Sequence, residues 1–155
     1  MPAETLVYTD GSCKMGGGAR GPGGWGFVIK PPKGAAIEGY GSALETLAKV
    51  MEFHAVAEAL ERLPAGSKST VFSDNQSLVA NLDKQLANWQ RSDFANVDAS
   101  IVESARSIAT LIDEKHLVIQ WKWIRAHNGN LGNERADALA AQGAREAKAS
   151  VGASK

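Results

Sequence analysis

The stretch TLVYTDGS, residues 5–12, joins a β-strand pattern to a terminal acid. Side chains alternate along a strand, so Leu6, Tyr8 and Asp10 share one face. A carboxylate at the end of such a buried row has two explanations. Asp10 is either a turn residue or the first member of a functional site.

Two further strand patterns follow before any helical pattern begins. GWGFVIK occupies 24–30 and AAIEGYGS occupies 35–42, and glycines and prolines lie at the connections. Short apolar runs separated by Gly and Pro are typical of antiparallel hairpins. We expect residues 5–42 to form a three-strand antiparallel meander.

Beyond residue 44 the apolar residues recur at helical spacing. A stripe through Val56, Ala59 and Leu60 predicts a helix that ends before Pro64. The later predicted elements are a strand at 68–74, helices at 76–88 and 97–112, a strand at 116–124 and a helix at 134–146. This order, βββαβααβα, predicts an α/β fold with a five-stranded mixed sheet, the meander plus two parallel strands, flanked by helices.

Composition limits the class of protein. At 155 residues, with 44% hydrophobic and 22% charged residues, the chain suits one globular domain. We assign this domain to residues 1–146 and expect the small, polar tail 147–155 to be disordered. Its apolar runs are too short to span a membrane, no signal-peptide pattern is seen, and a single cysteine fits a reducing compartment. We expect a cytoplasmic monomer without a membrane partner.

Glu52 shares a helix face with the apolar stripe. It lies four residues before Val56 and eight before Leu60, which places it on the same side of the helix. A glutamate is rarely buried without a partner, because its charge is costly to desolvate. The alternative is a position at the edge of the stripe, from which Glu52 reaches water or Lys49.

Two more acids lie at positions that suit a site. Asp74 ends its predicted strand as Asp10 ends the first, and parallel neighbouring strands would bring both acids to one edge of the sheet. Asp137 lies in the first turns of the last helix. Each has a local explanation as well, because Asp74 can cap the following helix and the helix dipole favours an acid at 137.

The four acids together indicate a cation site. Like charges within a few ångströms of one another need a cation if all are to stay ionised. Oxygen ligands without Cys or His partners suit magnesium or manganese rather than zinc. Two such ions in a carboxylate cluster are a recurring arrangement for phosphodiester cleavage, in which one activates a water and the other stabilises the leaving oxygen.

Segments spread along nearly the whole chain resemble the type 1, bacterial-like ribonuclease H family, in the family's order and at roughly its spacing. The matching segments are YTDGS (8–12), GPGGWG (21–26), MEFHA (51–55), SDNQ (73–76), WKWIRAH (121–127) and NERADALA (133–140). The resemblance implies a ribonuclease H-like fold. It also implies endonucleolytic, metal-dependent hydrolysis of the RNA strand of RNA–DNA hybrids, which leaves 5′-phosphate and 3′-hydroxyl ends.

The resemblance implies roles for individual residues. The catalytic, metal-binding acids of the family fall on Asp10, Glu52, Asp74 and Asp137. They would hold two Mg²⁺ ions together with the substrate, or Mn²⁺ in their place. The family's mobile-loop histidine falls on His127, where proton transfer and product release are implied and where a histidine can shuttle protons at neutral pH. The positions that match contacts to the hybrid, including its 2′-hydroxyls, are Gly11, Ser12, Asn75 and Gln76.

Two departures from the family pattern concern hybrid binding. Ala48-Lys49-Val50 stands where the family often has asparagines that contact RNA, and we expect Lys49 to meet a phosphate there. Residues 75–116, where many bacterial members carry a basic protrusion, hold four Lys or Arg and six Asp or Glu, in a chain whose 17 basic residues balance 17 acidic ones. Phosphate contacts supply most non-specific affinity, so we predict weaker and more salt-sensitive hybrid binding than in protrusion-bearing members.

Two other motifs receive structural interpretations. GGGARG at 16–21 satisfies GxGxxG, but a strand follows where a dinucleotide site needs a helix, so we interpret it as a hairpin link. Trp121 and Trp123 share a strand face and are expected to pack in the core.

Other functions of the same fold stay open: a junction resolvase, a retroelement-derived domain, or an inactive hybrid-binding module. The intact MEFHA segment at 51–55 and the spacing from His127 to Asp137 argue against a resolvase. The complete set of four acids argues against a binding module, because clustered negative charge would face the phosphates.

Overall fold

The computed structural model describes residues 4–14 and 19–153. The elements along these residues are β1 Thr5–Cys13, β2 Gly21–Lys30, β3 Ile37–Thr46, α1 Ala48–Glu61, β4 Lys68–Ser73, α2 Gln76–Lys84, α3 Leu86–Arg91, α4 Val102–Lys115, β5 Val118–Trp123 and α5 Leu131–Ala153. The first glycines of the GGGARG link, residues 16–18, lie outside the described residues. A strand, β2, follows the link, as predicted.

β1 lies at the centre of the sheet, whose strand order is β3-β2-β1-β4-β5. β1 pairs antiparallel with β2 and parallel with β4, β2 pairs antiparallel with β3, and β4 pairs parallel with β5. The predicted mixed sheet is therefore confirmed. Because β1 and β4 run in the same direction side by side, their carboxyl ends meet at one edge of the sheet.

The larger core lies between the sheet and α1, with α4 packed against α1. Val56, Ala59 and Leu60 are fully buried there, as the apolar stripe predicted. Burial of each large aliphatic side chain stabilises the fold by roughly 1.5–3 kcal/mol. This packing fixes α1 against β1 and thereby sets the position of Glu52 on the same helix face.

α5 packs against β1, β2 and β3, and buries a second, smaller cluster that includes Tyr8, Val28 and Leu139. A glycine on β2 makes this approach close. A Cβ at Gly26 would lie 2.7 Å from the Cβ of Leu139 and 2.8 Å from the carbonyl oxygen of Ala136. Any larger residue would therefore push α5 outward and move the site residues on its first turns.

α5 also corrects two sequence predictions, the helix end at 146 and the disordered tail at 147–155. The helix continues to Ala153, and Ala147 is buried. The small residues after 146 suggested a frayed tail. Alanine, however, is the best helix former, and a helix with small side chains can pack closely against its neighbours. Residues 154–155 lie outside the described part of the chain.

Two smaller differences concern the middle helices and the tryptophans. The single helix expected at 76–88 is divided at Gln85, which ends α2 and precedes α3. Trp121 packs partly buried against the main core, but Trp123 is 43% exposed. The core prediction is thus wrong for Trp123, because it lies at the very end of β5, an edge strand.

None of the helices in the described part of the chain has an apolar stretch long enough to span a bilayer.

Candidate active site

Three carboxylates meet at the carboxyl ends of the neighbouring strands β1 and β4: those of Asp10, Glu52 and Asp74. One carboxylate oxygen from each lies within 4.8 Å of those of the other two. Asp10 is 6% and Glu52 7% exposed, and Asp74 is half-buried. Three acids that are far apart in sequence are thus brought together by β1, α1 and the turn after β4.

The structure decides between the alternatives left open by local sequence. β1 continues three residues beyond Asp10 to Cys13, so Asp10 is not a turn residue. Glu52 is buried rather than at the edge of the stripe. Asn75, not Asp74, is the N-cap of α2, because its side chain accepts a hydrogen bond from the Leu78 N–H at 3.0 Å.

Gly11 joins β1 to α1 at the centre of the cluster. A Cβ on Gly11 would lie 2.5 Å from the carbonyl carbon of Met51 and 2.9 Å from the Cα of Glu52. Its N–H donates to Asp10 Oδ1 at 3.0 Å and also to Glu52 Oε1. The missing side chain lets α1 approach, and a single backbone N–H then orients two carboxylates.

α5 brings a fourth acid and a buried amide to the cluster. Asp137 hydrogen-bonds with Asp10, and its charge acts on Asp74. Asn133 is almost fully buried, and its side chain hydrogen-bonds with Asp74. Sequence reasoning missed Asn133, although its spacing, one helical turn before Asp137, puts both side chains on one helix face.

His127 lies in the connection from β5 to α5, close enough to Asp74 for a protonated imidazole to act on that carboxylate. Its φ of 55° is left-handed, which is uncommon for a residue with a side chain, and Gly129 nearby has φ 79°. The loop thus presents His127 on the Asp74 side of the cluster.

Burial and neighbouring negative charge raise the proton affinity of three acids of the cluster. Burial, and then the charge of Glu52, hold the pKa of Asp10 well above its ordinary value. Burial also raises the pKa of Glu52, against hydrogen bonds from Asp10, Asn75 and Gly11 that lower it. The pKa of Asp74 is raised by burial and by Asp137, against a hydrogen bond from Asn133. The cluster therefore binds protons unusually well, and its all-oxygen donor set is of the kind that a hard divalent cation prefers.

The residues predicted to contact a hybrid lie around this cluster. Gly11 and Ser12 are half-buried on β1, and Gln76 is exposed at the first turn of α2. Asn75 caps α2 and also hydrogen-bonds with Glu52. Lys49 lies one turn before Glu52 on α1, where its Nζ forms an ion pair with Asp98 at 2.6 Å.

A carboxylate cluster of this kind at the edge of a sheet is the arrangement of metal-dependent phosphodiester-cleaving enzymes. The chain belongs to the ribonuclease H family, because the RNase H family model matches residues 2–145.

Known proteins agree with this assignment. A ribonuclease H of Bordetella bronchiseptica is 36% identical over 147 residues, which cover 94% of this chain and 92% of that protein. The structure of LC11-RNase H1, isolated from compost, is similar with a TM-score of 0.71 and 26% identity, over 95% of this chain and 99% of that one. The crystal structure of LC11-RNase H1 with an RNA/DNA hybrid is similar with a TM-score of 0.70, at 24% identity and over 93% of this chain and 99% of that one.

Proposed function

We propose that the protein is an endoribonuclease that hydrolyses the RNA strand of RNA–DNA hybrids and leaves 5′-phosphate and 3′-hydroxyl ends. The observation that carries the proposal is the convergence of the Asp10, Glu52 and Asp74 carboxylates within 4.8 Å. Membership of the ribonuclease H family supports it, and so does the RNA/DNA hybrid bound to LC11-RNase H1, which has a similar fold.

We propose that the cluster holds two Mg²⁺ ions when substrate is bound, with Mn²⁺ as an alternative. The ligands would be Asp10, Glu52, Asp74 and Asp137. When bound, such a pair supplies an activated water and stabilises the leaving oxygen. The excess of negative charge, in a site made only of oxygen donors, supports a hard divalent cation.

The chain's own groups have separate tasks in this proposal. The Gly11 N–H keeps Asp10 and Glu52 oriented, as its hydrogen bonds to both carboxylates indicate. Asn133 holds the half-exposed Asp74. His127 takes or delivers the proton that moves during hydrolysis and assists product release. His127 lies in the connection between β5 and α5, and connections of this kind are generally more mobile than the elements they join.

Hybrid recognition is assigned to groups next to the acids. Gly11, Ser12, Asn75 and Gln76 would approach the sugars and read the 2′-hydroxyl, the group by which a protein distinguishes RNA from DNA. Lys49 would meet a phosphate once it leaves Asp98, since an ion pair between exposed side chains is weak. We further propose that the protein is a single catalytic domain that includes all of α5, and that it acts in the cytoplasm as a monomer.

Cleavage of matched substrates tests the proposal. The protein and Mg²⁺ are incubated with a labelled RNA–DNA hybrid and, separately, with duplex DNA, duplex RNA and a four-way junction. We expect only the hybrid to be cut, with loss of cleavage in Asp10→Asn and normal cleavage in Asp83→Asn, a matched change at an exposed acid of α2. Junction cleavage would identify a resolvase instead, and hybrid binding without cleavage would identify a binding module.

A further inference from the structure

The side chain of Trp123 extends the pairing of β4 with β5 by one residue. The two strands pair in parallel up to Ser73 opposite Trp123, and the Ile124 N–H then donates to the Ser73 carbonyl at 3.0 Å. The next carbonyl along the chain belongs to Asp74, and the Trp123 Nε1–H donates to it at 3.2 Å. An indole thus replaces the backbone partner that β5 no longer provides.

The same peptide group is held at its other end. The N–H of Asn75, which shares a peptide plane with the Asp74 carbonyl, donates to Ser73 Oγ at 3.1 Å. Ser73 is itself 1% exposed, so this acceptor is fixed by the core. Both polar atoms of the peptide are therefore bound to side chains, one from β4 and one from β5.

This peptide carries two groups of the acidic cluster. On one side is the Asp74 carboxylate, and on the other is the Asn75 amide, which hydrogen-bonds with Glu52 and caps α2. With both polar atoms held, ψ of Asp74 and φ of Asn75 are restricted, and with them the direction of one side chain relative to the other. The orientation of one peptide thus controls contacts to two of the acids.

Packing does not account for a tryptophan at this position. Trp123 is 43% exposed, whereas Trp121, two residues earlier, packs against the core. A tryptophan offers only one polar atom, a donor, and here that donor is used on the Asp74 carbonyl. β5 ends at Trp123, four residues before His127, so the side chain also ties the start of the His127 loop to the Asp74 turn.

We infer that Trp123 is a positioning residue for the proposed active site. It holds the Asp74–Asn75 peptide in the orientation that places the Asp74 carboxylate and the Asn75 amide that contacts Glu52. It does not touch the reacting atoms. The inference rests on the proposed function, because it assigns Trp123 to the same site.

The variant Trp123→Phe keeps an aromatic ring and removes the N–H donor. We expect kcat for hybrid cleavage to fall about tenfold and the Mg²⁺ requirement to rise by a similar factor, the effect typical of losing a group that orients metal ligands. KM for the hybrid should change little. Trp121→Phe, the same change on the same strand, should lower the melting temperature but leave kcat and the Mg²⁺ requirement as they are. A fall in kcat of the same size in both variants would overturn the inference, and so would a rise in KM alone in Trp123→Phe, which would indicate direct contact with the hybrid.

A second pair of measurements does not depend on cleavage. The rise in melting temperature with Mg²⁺ alone should be smaller in Trp123→Phe than in wild type and Trp121→Phe, and an equal rise in all three would overturn the inference. In the wild-type protein, the Trp123 indole N–H should exchange with solvent more slowly than that of free indole, and equal rates would overturn it even if the variant fails to fold. If wild type leaves the hybrid uncut, the proposed function fails, while these two measurements still test the role of Trp123.

Discussion

At the scale of single residues, the acidic cluster is a set of like charges brought together at a cost in stability. Asp10 and Glu52 are both nearly inaccessible to solvent, and the Gly11 N–H is shared between them. Burying unpaired like charges destabilises a fold unless a cation or a proton compensates them. The protein without metal should therefore be less stable than its packing alone allows.

Asp10→Asn should stabilise the metal-free protein while it abolishes cleavage. A buried carboxyl at position 10 must take up a proton or bear the repulsion of Glu52, whereas asparagine is neutral already, so we expect the free energy of unfolding at neutral pH to rise by about 1–3 kcal/mol. Urea denaturation in the presence of a chelator measures the change. A less stable variant would show that Asp10 makes a net favourable contribution, contrary to this account.

The same carboxyl group predicts how stability depends on pH. The pKa of Asp10 is higher in the folded protein than its unfolded value of about 3.9. As pH rises above the unfolded value, the unfolded chain releases its proton first, so the contribution of Asp10 to stability is present at low pH and is lost as pH increases.

Without divalent ions, the free energy of unfolding of wild type should therefore fall as pH rises from about 4 towards the raised pKa of Asp10, and fall less in Asp10→Asn. Denaturant midpoints across this range test the prediction. Parallel curves for the two proteins would contradict it, because the variant has no carboxyl group at position 10 to titrate.

Single residues also show where sequence reasoning ends. Helical and strand periods assign a face to a side chain, and this was enough to select Asp10 and Glu52. They do not say whether another element covers that face at a given point along a strand, which is why the core interpretation failed at Trp123. Nor do they give the partner of a buried amide, so the contact of Asn133 with Asp74 required the tertiary structure.

At the scale of elements, an ion pair joins α1 to the segment between α3 and α4. Lys49 Nζ lies 2.6 Å from Asp98 Oδ2, and Asp98 also accepts hydrogen bonds from the N–H and hydroxyl of Ser100. Lys49 and Ser100 lower the pKa of Asp98, so the carboxylate is charged at neutral pH. The lysine assigned to a phosphate is thus shared with an acid of the chain itself.

Asp98→Asn should strengthen hybrid binding. Loss of the carboxylate frees Lys49 and removes a negative charge beside the proposed phosphate path, so we expect KM to fall about twofold to threefold with kcat unchanged. Steady-state kinetics at fixed salt test this, with Asp83→Asn as the matched control. In the double variant with Lys49→Ala, the gain should shrink, and an undiminished gain would show that Lys49 is not the group released.

The last turns of α5 should contribute to stability. Deletion of residues 147–155 removes the buried Ala147 and part of the helix that covers the sheet, and we expect a loss of about 1 kcal/mol in the free energy of unfolding. Thermal or urea denaturation measures it, with deletion of 154–155 alone as the control. Equal stability of the two deletions would be the behaviour of a disordered tail.

Element type and order followed well from sequence, because the meander and the helical stripes have clear periods. The division between α2 and α3 did not, since Gln85 is a good helix former and only the local backbone, with φ −110°, ends the helix there. The extension of α5 was missed for a related reason. Small residues indicate either a tail or a closely packed helix, and the surface they face decides between the two.

At the scale of the whole molecule, neutrality limits how firmly a polyanion can bind. The 17 basic and 17 acidic residues leave no net attraction, and residues 75–116 hold more acidic than basic residues. Counterion release makes the dependence of affinity on salt steeper as more phosphates are contacted. A protein with few such contacts has a shallow dependence, which contradicts the greater salt sensitivity predicted from residues 75–116. The hybrid is lost at lower salt only because the affinity is low to begin with.

KM for a hybrid should therefore be high at physiological salt and should exceed that of protrusion-bearing relatives assayed in parallel. Its logarithm should rise with the logarithm of salt concentration at a slope that reflects only a few phosphates. Titration with a fluorescent hybrid across salt concentrations measures both quantities. A low KM at physiological salt would contradict the prediction and would point to contacts that formal charge does not reveal.

The bare backbone of β2 beneath α5 has a consequence for how such a protein changes over generations. Gly26 sets the spacing between the sheet and the helix that carries Asn133 and Asp137. A methyl group added there would displace the two side chains together, while Asp10, Glu52 and Asp74 lie on other elements. Selection for a different metal ion or a different cleavage rate can therefore act on the part of β2 that packs under α5. Laboratory evolution should recover variants there as well as among the acids.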